Sequence, residues 1–133
     1  TWEPVKDLRY DTGETFYSSA TFHKTIRSSK TGKLYWIGNI TLTPANGNYP
    51  RYPLQIVDID EEKVALKKHT VTVIDTRADG EPEGVQHSNF SVLEDRKTKN
   101  IEIYLTRYGE NGDDKQNVFT ANAYKYTLCL YRR

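Results

Sequence analysis

The sequence predicts an all-β protein of antiparallel strands, on three observations. Apolar residues almost nowhere recur at the helical spacing of three and four. β-Branched and aromatic residues instead gather in short runs, and ten tyrosines, four phenylalanines and two tryptophans among 133 residues favour pleated, half-buried surfaces. Between the runs stand clusters of Gly, Pro, Asn, Asp and Ser that break strands and set turns.

The first predicted strand is Phe16 to Arg27, with Phe22 and Ile26 among its apolar positions. Ser28 to Lys33 supplies a hairpin turn with Gly32 near its end, and Leu34 to Ile40 is the partner strand. Thr43 to Pro50 is a long loop rich in breakers. Leu54 to Ile59 is the third strand and Thr70 to Asp75 the fourth, and Glu61 to Lys68 between them suits one helical turn. The Asp79-Gly80-Glu81-Pro82-Glu83-Gly84 run is a break. Val85 to Leu93 and Ile101 to Arg107 are predicted as strands joined by the polar turn Glu94 to Asn100. After a polar loop from Gly109 to Lys115, Ala121 to Leu130 closes the pattern with Tyr124, Tyr126, Leu128 and Leu130 alternating.

The two halves echo each other. Tyr17-Ser18 corresponds to His87-Ser88, 70 residues on, and Lys30-Thr31 with Leu34 to Ile37 corresponds to Lys97-Thr98 with Ile101 to Tyr104, 67 residues on. Repetition of a three- or four-stranded antiparallel unit predicts β-propeller-like blades, approximately 14–78 and 84–131 of a single segment. The period exceeds the roughly 40–50 residues of a common blade, and the long loops absorb the excess. A sandwich or open barrel with a chance echo is the alternative. A ring needs at least about four blades. About two blades therefore imply part of a longer protein or a subunit that completes a ring by oligomerising.

Bulk properties narrow the function. Nineteen Lys and Arg balance eighteen Asp and Glu, so no basic field points to nucleic acid. No apolar run is long enough to span a bilayer, and the first residues do not resemble a signal peptide. The lone Cys129 falls in an apolar strand pattern and is expected to be a buried structural thiol. No zinc-ligand spacing, phosphate loop or Ser-His-Asp order is present, and no cofactor is expected. Asp58 and Asp60 face one side of a strand, but no further oxygen ligands follow them, so no metal site is expected either.

Several stretches resemble the C-terminal blades of bacterial sialidase-like proteins with BNR, or Asp-box, repeats. These are Tyr10 to Ser18, Gly32 to Asn39 and Ser88 to Arg96, while Thr1-Trp2 is similar to the end of an Asp box. Val57 to Glu62 sits where another Asp box would fall but lacks its Gly and Trp. The resemblance implies a propeller that acts on or binds acidic carbohydrate, as a relative of glycoside hydrolases. Family members clamp the substrate carboxylate with three arginines and attack with a tyrosine, an exception to the two-carboxylate rule. Arg51-Tyr52-Pro53-Leu54 matches the Arg-x-x-Leu that carries the last arginine, whose planar guanidinium suits a carboxylate. The Tyr-Ser of the following blade is matched by His87-Ser88. A neutral imidazole brings no negative charge to an oxocarbenium ion, so His87 departs from the family's chemistry. The other catalytic groups would lie upstream, and this chain alone is not expected to be active. The alternatives are a lectin-like or structural propeller module. The family also makes a secreted or periplasmic location plausible.

The candidate substrate-binding residues are Arg51, His87, Asn89, Arg107, Asn39 and His23. Asn39 and Asn89 flank strand ends, where they suit sugar hydroxyls. Arg107 ends the strand paired with Val85 to Leu93. His23 and Lys24 point to opposite faces of their strand, so one of them is directed towards the ring axis. His69 reads as a surface residue. Trp36 reads as core between blades, and Arg51 has a structural alternative as a guanidinium packed on Tyr49 or Tyr52.

Overall fold

A computed structural model describes residues 1–131. Among them are eight strands: β1 (Lys24–Arg27), β2 (Leu34–Gly38), β3 (Leu54–Asp60), β4 (Ala65–Leu66), β5 (Thr72–Asp75), β6 (Ser91–Glu94), β7 (Ile101–Thr106) and β8 (Ala123–Leu128). The protein is all-β, with antiparallel pairing throughout the strands.

Two sheets form. The first runs β1-β2-β3, and β4 and β5 pair with successive parts of β3. Ile59 and Asp60 face β4, whereas Leu54 to Ile56 face β5. The helical turn expected at 61–68 is divided differently. Asp60 Oδ1 accepts from the backbone N–H groups of Glu62 and Lys63 and folds a tight turn into β4, and the short 3-10 turn Lys68–Thr70 follows. The second sheet is the three-stranded meander β6-β7-β8.

The echo in the sequence is an echo in structure. β1 and β6 begin 67 residues apart, at Lys24 and Ser91, and so do β2 and β7, at Leu34 and Ile101. Their hairpin turns match atom for atom. Ser28 Oγ accepts from the N–H groups of Lys30 and Thr31, and Asp95 Oδ1 accepts from those of Lys97 and Thr98. Gly32 and Lys99 hold the same left-handed position, at φ 74° and 60°.

The sheets pack face to face. Alternation along β2 sends Tyr35 and Ile37 to one side and Trp36 to the other. Tyr35, Ile37, Leu54 and Ile56 meet Phe90, Ile101, Ile103 and Leu105 in the main core between the sheets. Trp36, Val57 and Leu66 form a second core on the far face of the first sheet, covered by Tyr10 and Phe16 from the N-terminal segment. Trp36 is core, as expected, but it is buried under the N-terminal segment and not between the two sheets.

Two expectations are corrected. The first strand is shorter than expected, because residues 16–23 bend across the sheet and pair their backbone there in one bridge, Tyr17 to Thr41. Cys129 is exposed, not buried. It follows Lys125 and Thr127 in the outward register of β8, while Tyr124, Tyr126 and Leu128 turn inward. No helix is long and apolar enough to cross a membrane among the described residues.

Candidate functional site

The strand registers gather chemistry at one end of the two sheets. Lys24 pairs with Ile37, Gly38 with Gln55, Leu54 with Asp75, and Thr106 with Ala123. The start of β1, end of β2, start of β3 and end of β5 therefore lie together. The second sheet joins them there through a bridge between Arg51 and Gln86 and the bond from His87 N–H to Arg51 O at 2.8 Å. Asn39 staples the same junction, donating from Nδ2 to Pro53 O at 2.9 Å and to His87 O at 3.0 Å.

His87 is fully buried at 0% exposure. Its Nε2 accepts from Arg107 Nε at 3.1 Å and stands 3.3 Å from Asp75 Oδ2. Tyr126 donates its hydroxyl to that same Asp75 oxygen at 2.5 Å. Arg107 is held in a two-pronged pair with Glu81, both contacts at 2.6 Å. Glu110 lies 3.7 Å from Arg107 and accepts from Tyr124 at 2.7 Å. The chain of contacts thus runs from Tyr126 through Asp75, His87 and Arg107 to Glu81.

The electrostatics follow from these partners. Glu81 is lowered to about 2 by its bonds to Arg107 and to the backbone N–H of Ala78. Glu81 in turn raises Arg107. Burial lowers His87 below the usual histidine value, against the opposing pull of Asp75. Burial and then the bond to Asp75 raise Tyr126 well above the usual phenol. At neutral pH the cluster therefore holds an ionised Glu81, a neutral imidazole and a protonated phenol.

Arg51 lies beside this cluster on the loop 49–53, whose Tyr49-Pro50 and Tyr52-Pro53 bonds are cis. Its Nε donates to Asn48 O at 3.0 Å and its Nη1 to Gln86 Oε1 at 2.9 Å. The guanidinium lies 5.7 Å from the centre of the Tyr49 ring. Arg77 makes the companion arrangement, 5.9 Å from the Tyr52 ring, with Nε and Nη2 donating to Glu81 O at 2.9 and 2.6 Å. Two cations thus cover two tyrosines on one short loop.

The remaining candidates are dispersed. Asn89 is exposed in the left-handed region at φ 56°, between buried Ser88 and Phe90. His23 is exposed and stacks on Trp36 at 5.6 Å between ring centres, on the far face of the first sheet. His69 is exposed. Asp58 pairs with Lys33 at 2.7 Å and Asp60 caps its turn. No group of three or more metal-ligating side chains gathers among the described residues.

Sequence reasoning brought Arg51, His87, Asn39 and Arg107 to one place but missed Asp75, Arg77, Glu81 and Tyr126. Asp75 ends β5, Arg77 lies two residues beyond it, Glu81 sits in a breaker-rich turn, and Tyr126 is one of several alternating tyrosines. Only the pairing of β5 with β3 and the stacking of the two sheets make them neighbours. The chain matches no protein family, no curated protein and no solved structure.

Proposed function

We propose that this chain is a pair of sialidase-like propeller blades that recognises acidic carbohydrate without hydrolysing it. One observation carries the reading: the arginine pair Arg51 and Arg77, stacked on Tyr49 and Tyr52, stands beside a histidine that is sealed from solvent. Stacked guanidinium groups lose little freedom on meeting a carboxylate, which favours anion recognition. Among the described residues Arg77 Nη1 carries no hydrogen bond, and Arg51 Nη2 meets the Asn48 amide oxygen at 3.3 Å when that amide nitrogen points to Ala20 O. Both leave donors for a sugar carboxylate. The two-stranded repeat of hairpins supports the blade architecture, and the resemblance supplies the sugar class.

Hydrolysis is disfavoured by the same geometry. The residue matching the family's tyrosine is His87, whose Nε2 is already shared between Arg107 and Asp75. A buried neutral ring with that nitrogen engaged has no path to an anomeric carbon.

The test is a glycan array probed with the chain, alongside a panel of fluorogenic sialosides and uronides. Binding to carboxylated glycans is expected, weakened at least tenfold by Arg51→Ala or Arg77→Ala, with no fluorophore released. Binding that ignores both substitutions would contradict the recognition role, and turnover would contradict the absence of chemistry.

A further inference from the structure

Two Asn-Gly dipeptides occur in the chain, Asn46-Gly47 and Asn111-Gly112. Asparagine is a thermolabile residue. It is most so before glycine, whose lack of a Cβ leaves its backbone nitrogen unobstructed for attack on the asparagine side chain. Whether the attack takes place depends on what the fold does with the side-chain amide and with the glycine N–H. The two sites differ in both.

Asn111 is held. Its Nδ2 donates to Thr120 O at 3.1 Å and to Thr120 Oγ1 at 3.2 Å, and the N–H of Gly112 donates to Gly109 O at 3.3 Å. Asn46 is not held in this way. It is exposed, and neither its side-chain amide nor the N–H of Gly47 makes a hydrogen bond among the described residues. Gly47, at φ 58°, is the first of two residues that turn the chain between Asn46 and Tyr49. Two backbone bonds close this hairpin, from Asn46 N–H to Tyr49 O at 2.9 Å and from Tyr49 N–H to Asn46 O at 3.1 Å. The bridge is isolated and extends no strand, so it opens without breaking either sheet. Gly47 is tethered by its carbonyl, which accepts from Ala20 N–H at 2.7 Å and leaves the nitrogen free.

We propose that Asn46 is a site of spontaneous deamidation and isomerisation, and that the reaction loosens the seat of Arg51. Water and base are the only co-reactants. The Gly47 nitrogen gives up its proton and bonds to Asn46 Cγ. The Cγ–Nδ2 bond breaks, and the amide nitrogen leaves as ammonia, taking up a proton in place of the one released. A cyclic imide remains in the chain. Water then opens it at either of its carbonyls. Attack at Cγ restores the ordinary chain with an aspartate. Attack at the main-chain carbonyl carbon of residue 46 routes the chain through the side chain and gives isoaspartate.

Both products place a carboxylate where a neutral amide stood. Isoaspartate also inserts a methylene into the main chain, so the two bonds between residues 46 and 49 no longer form together. The Arg51 guanidinium lies 5.7 Å from the centre of the Tyr49 ring, and Arg51 Nε donates to Asn48 O at 3.0 Å. A hairpin that cannot close therefore disturbs two of the contacts that place Arg51. A loss of acidic-sugar affinity on ageing rests on the carbohydrate reading; the chemistry at Asn46 does not.

The experiment ages the chain at about pH 8.5, folded and, in parallel, unfolded in concentrated guanidinium chloride. Peptide mass spectrometry follows the exchange of NH2 for OH at each asparagine, and amide NMR follows residues 46–51 of the folded chain. In the folded chain Asn46 is expected to convert at least tenfold faster than Asn111. In denaturant the two rates are expected to converge, because the structure that separates them is gone. The Tyr49 and Arg51 amide signals should move in step with conversion at Asn46. Asn46→Ser, which lacks the amide, should leave them unmoved on ageing. Equal rates at the two sites in the folded chain, or no conversion at Asn46, would overturn the proposal. Tyr49 and Arg51 signals that stay fixed while Asn46 converts would overturn it equally. Binding of carboxylated glycan by fresh and aged chain separates the two readings: a fresh chain without affinity contradicts the carbohydrate role, while mass and NMR decide the modification.

Discussion

His87 shows how one residue can hold a functional address and a structural post. It occupies the place where the resemblance puts a nucleophile, and it is the most enclosed polar ring in the protein. Because burial lowers its pKa, the folded ring resists a proton that the unfolded ring accepts at about pH 6.5. The unfolded state then binds more protons, so stability is full above about pH 6.5 and declines as pH falls below it. His87→Gln should remove that part of the decline, seen as a flatter dependence of the urea midpoint between pH 7.5 and 5.5. An unchanged dependence would mean that the imidazole does not titrate in this way. Glu81 acts lower on the scale. Its folded value of about 2 stabilises the protein above the ordinary carboxylate range, and that contribution is lost as pH falls from about 4.5 towards 2. Glu81→Gln should cost about 2 kcal/mol at pH 7, the size of a charge-assisted hydrogen bond, and nothing at pH 2. Neither effect was legible in the sequence. A histidine before a serine reads the same on a surface as in a core, and Glu81 looks like one more charge in a turn.

At the scale of elements the sequence was far more informative. The β-rich run Leu34 to Gly38 located β2, which is buried on both faces, and alternation in Ile101 to Thr106 located β7, which buries one face, so that period two is unavoidable there. The 67-residue echo anticipated two hairpins with the same turn. What alternation could not reveal was the failure of residues 16–23 to pair, since Phe16 is drawn sideways onto Trp36, 6.1 Å away edge to face, and leaves the strand direction. The same indole explains a glycine. A methyl group at Gly38 would stand 2.6 Å from the Trp36 ring and 3.1 Å from His23 Cβ. Gly38→Ala should therefore cost about 1–3 kcal/mol in a chemical denaturation measurement, the usual penalty of overpacking. Gly32→Ala has open space around it and a partner position already occupied by Lys99. It should cost only the left-handed strain of about 1–2 kcal/mol. Equal tolerance at Gly38 would show that the stack of His23 on Trp36 is loose.

At the scale of the molecule, two sheets of unequal width stack on one core, and their common end collects three arginines and three carboxylates. The all-β class and the repeated hairpin were readable because they rest on local period and local turns. The meeting of Arg51, Arg77 and Glu81 was not, because it depends on strands far apart in sequence coming into register. The proposed function requires that this end receive an acidic sugar. The most direct measurement is an amide NMR titration of the chain with N-acetylneuraminic acid, using N-acetylglucosamine as the uncharged control. The expected result is saturable shifts concentrated at residues 49–53, 75–77 and 81, present with the acid and absent with the control. Shifts spread evenly over the surface, or none at saturating acid, would contradict it.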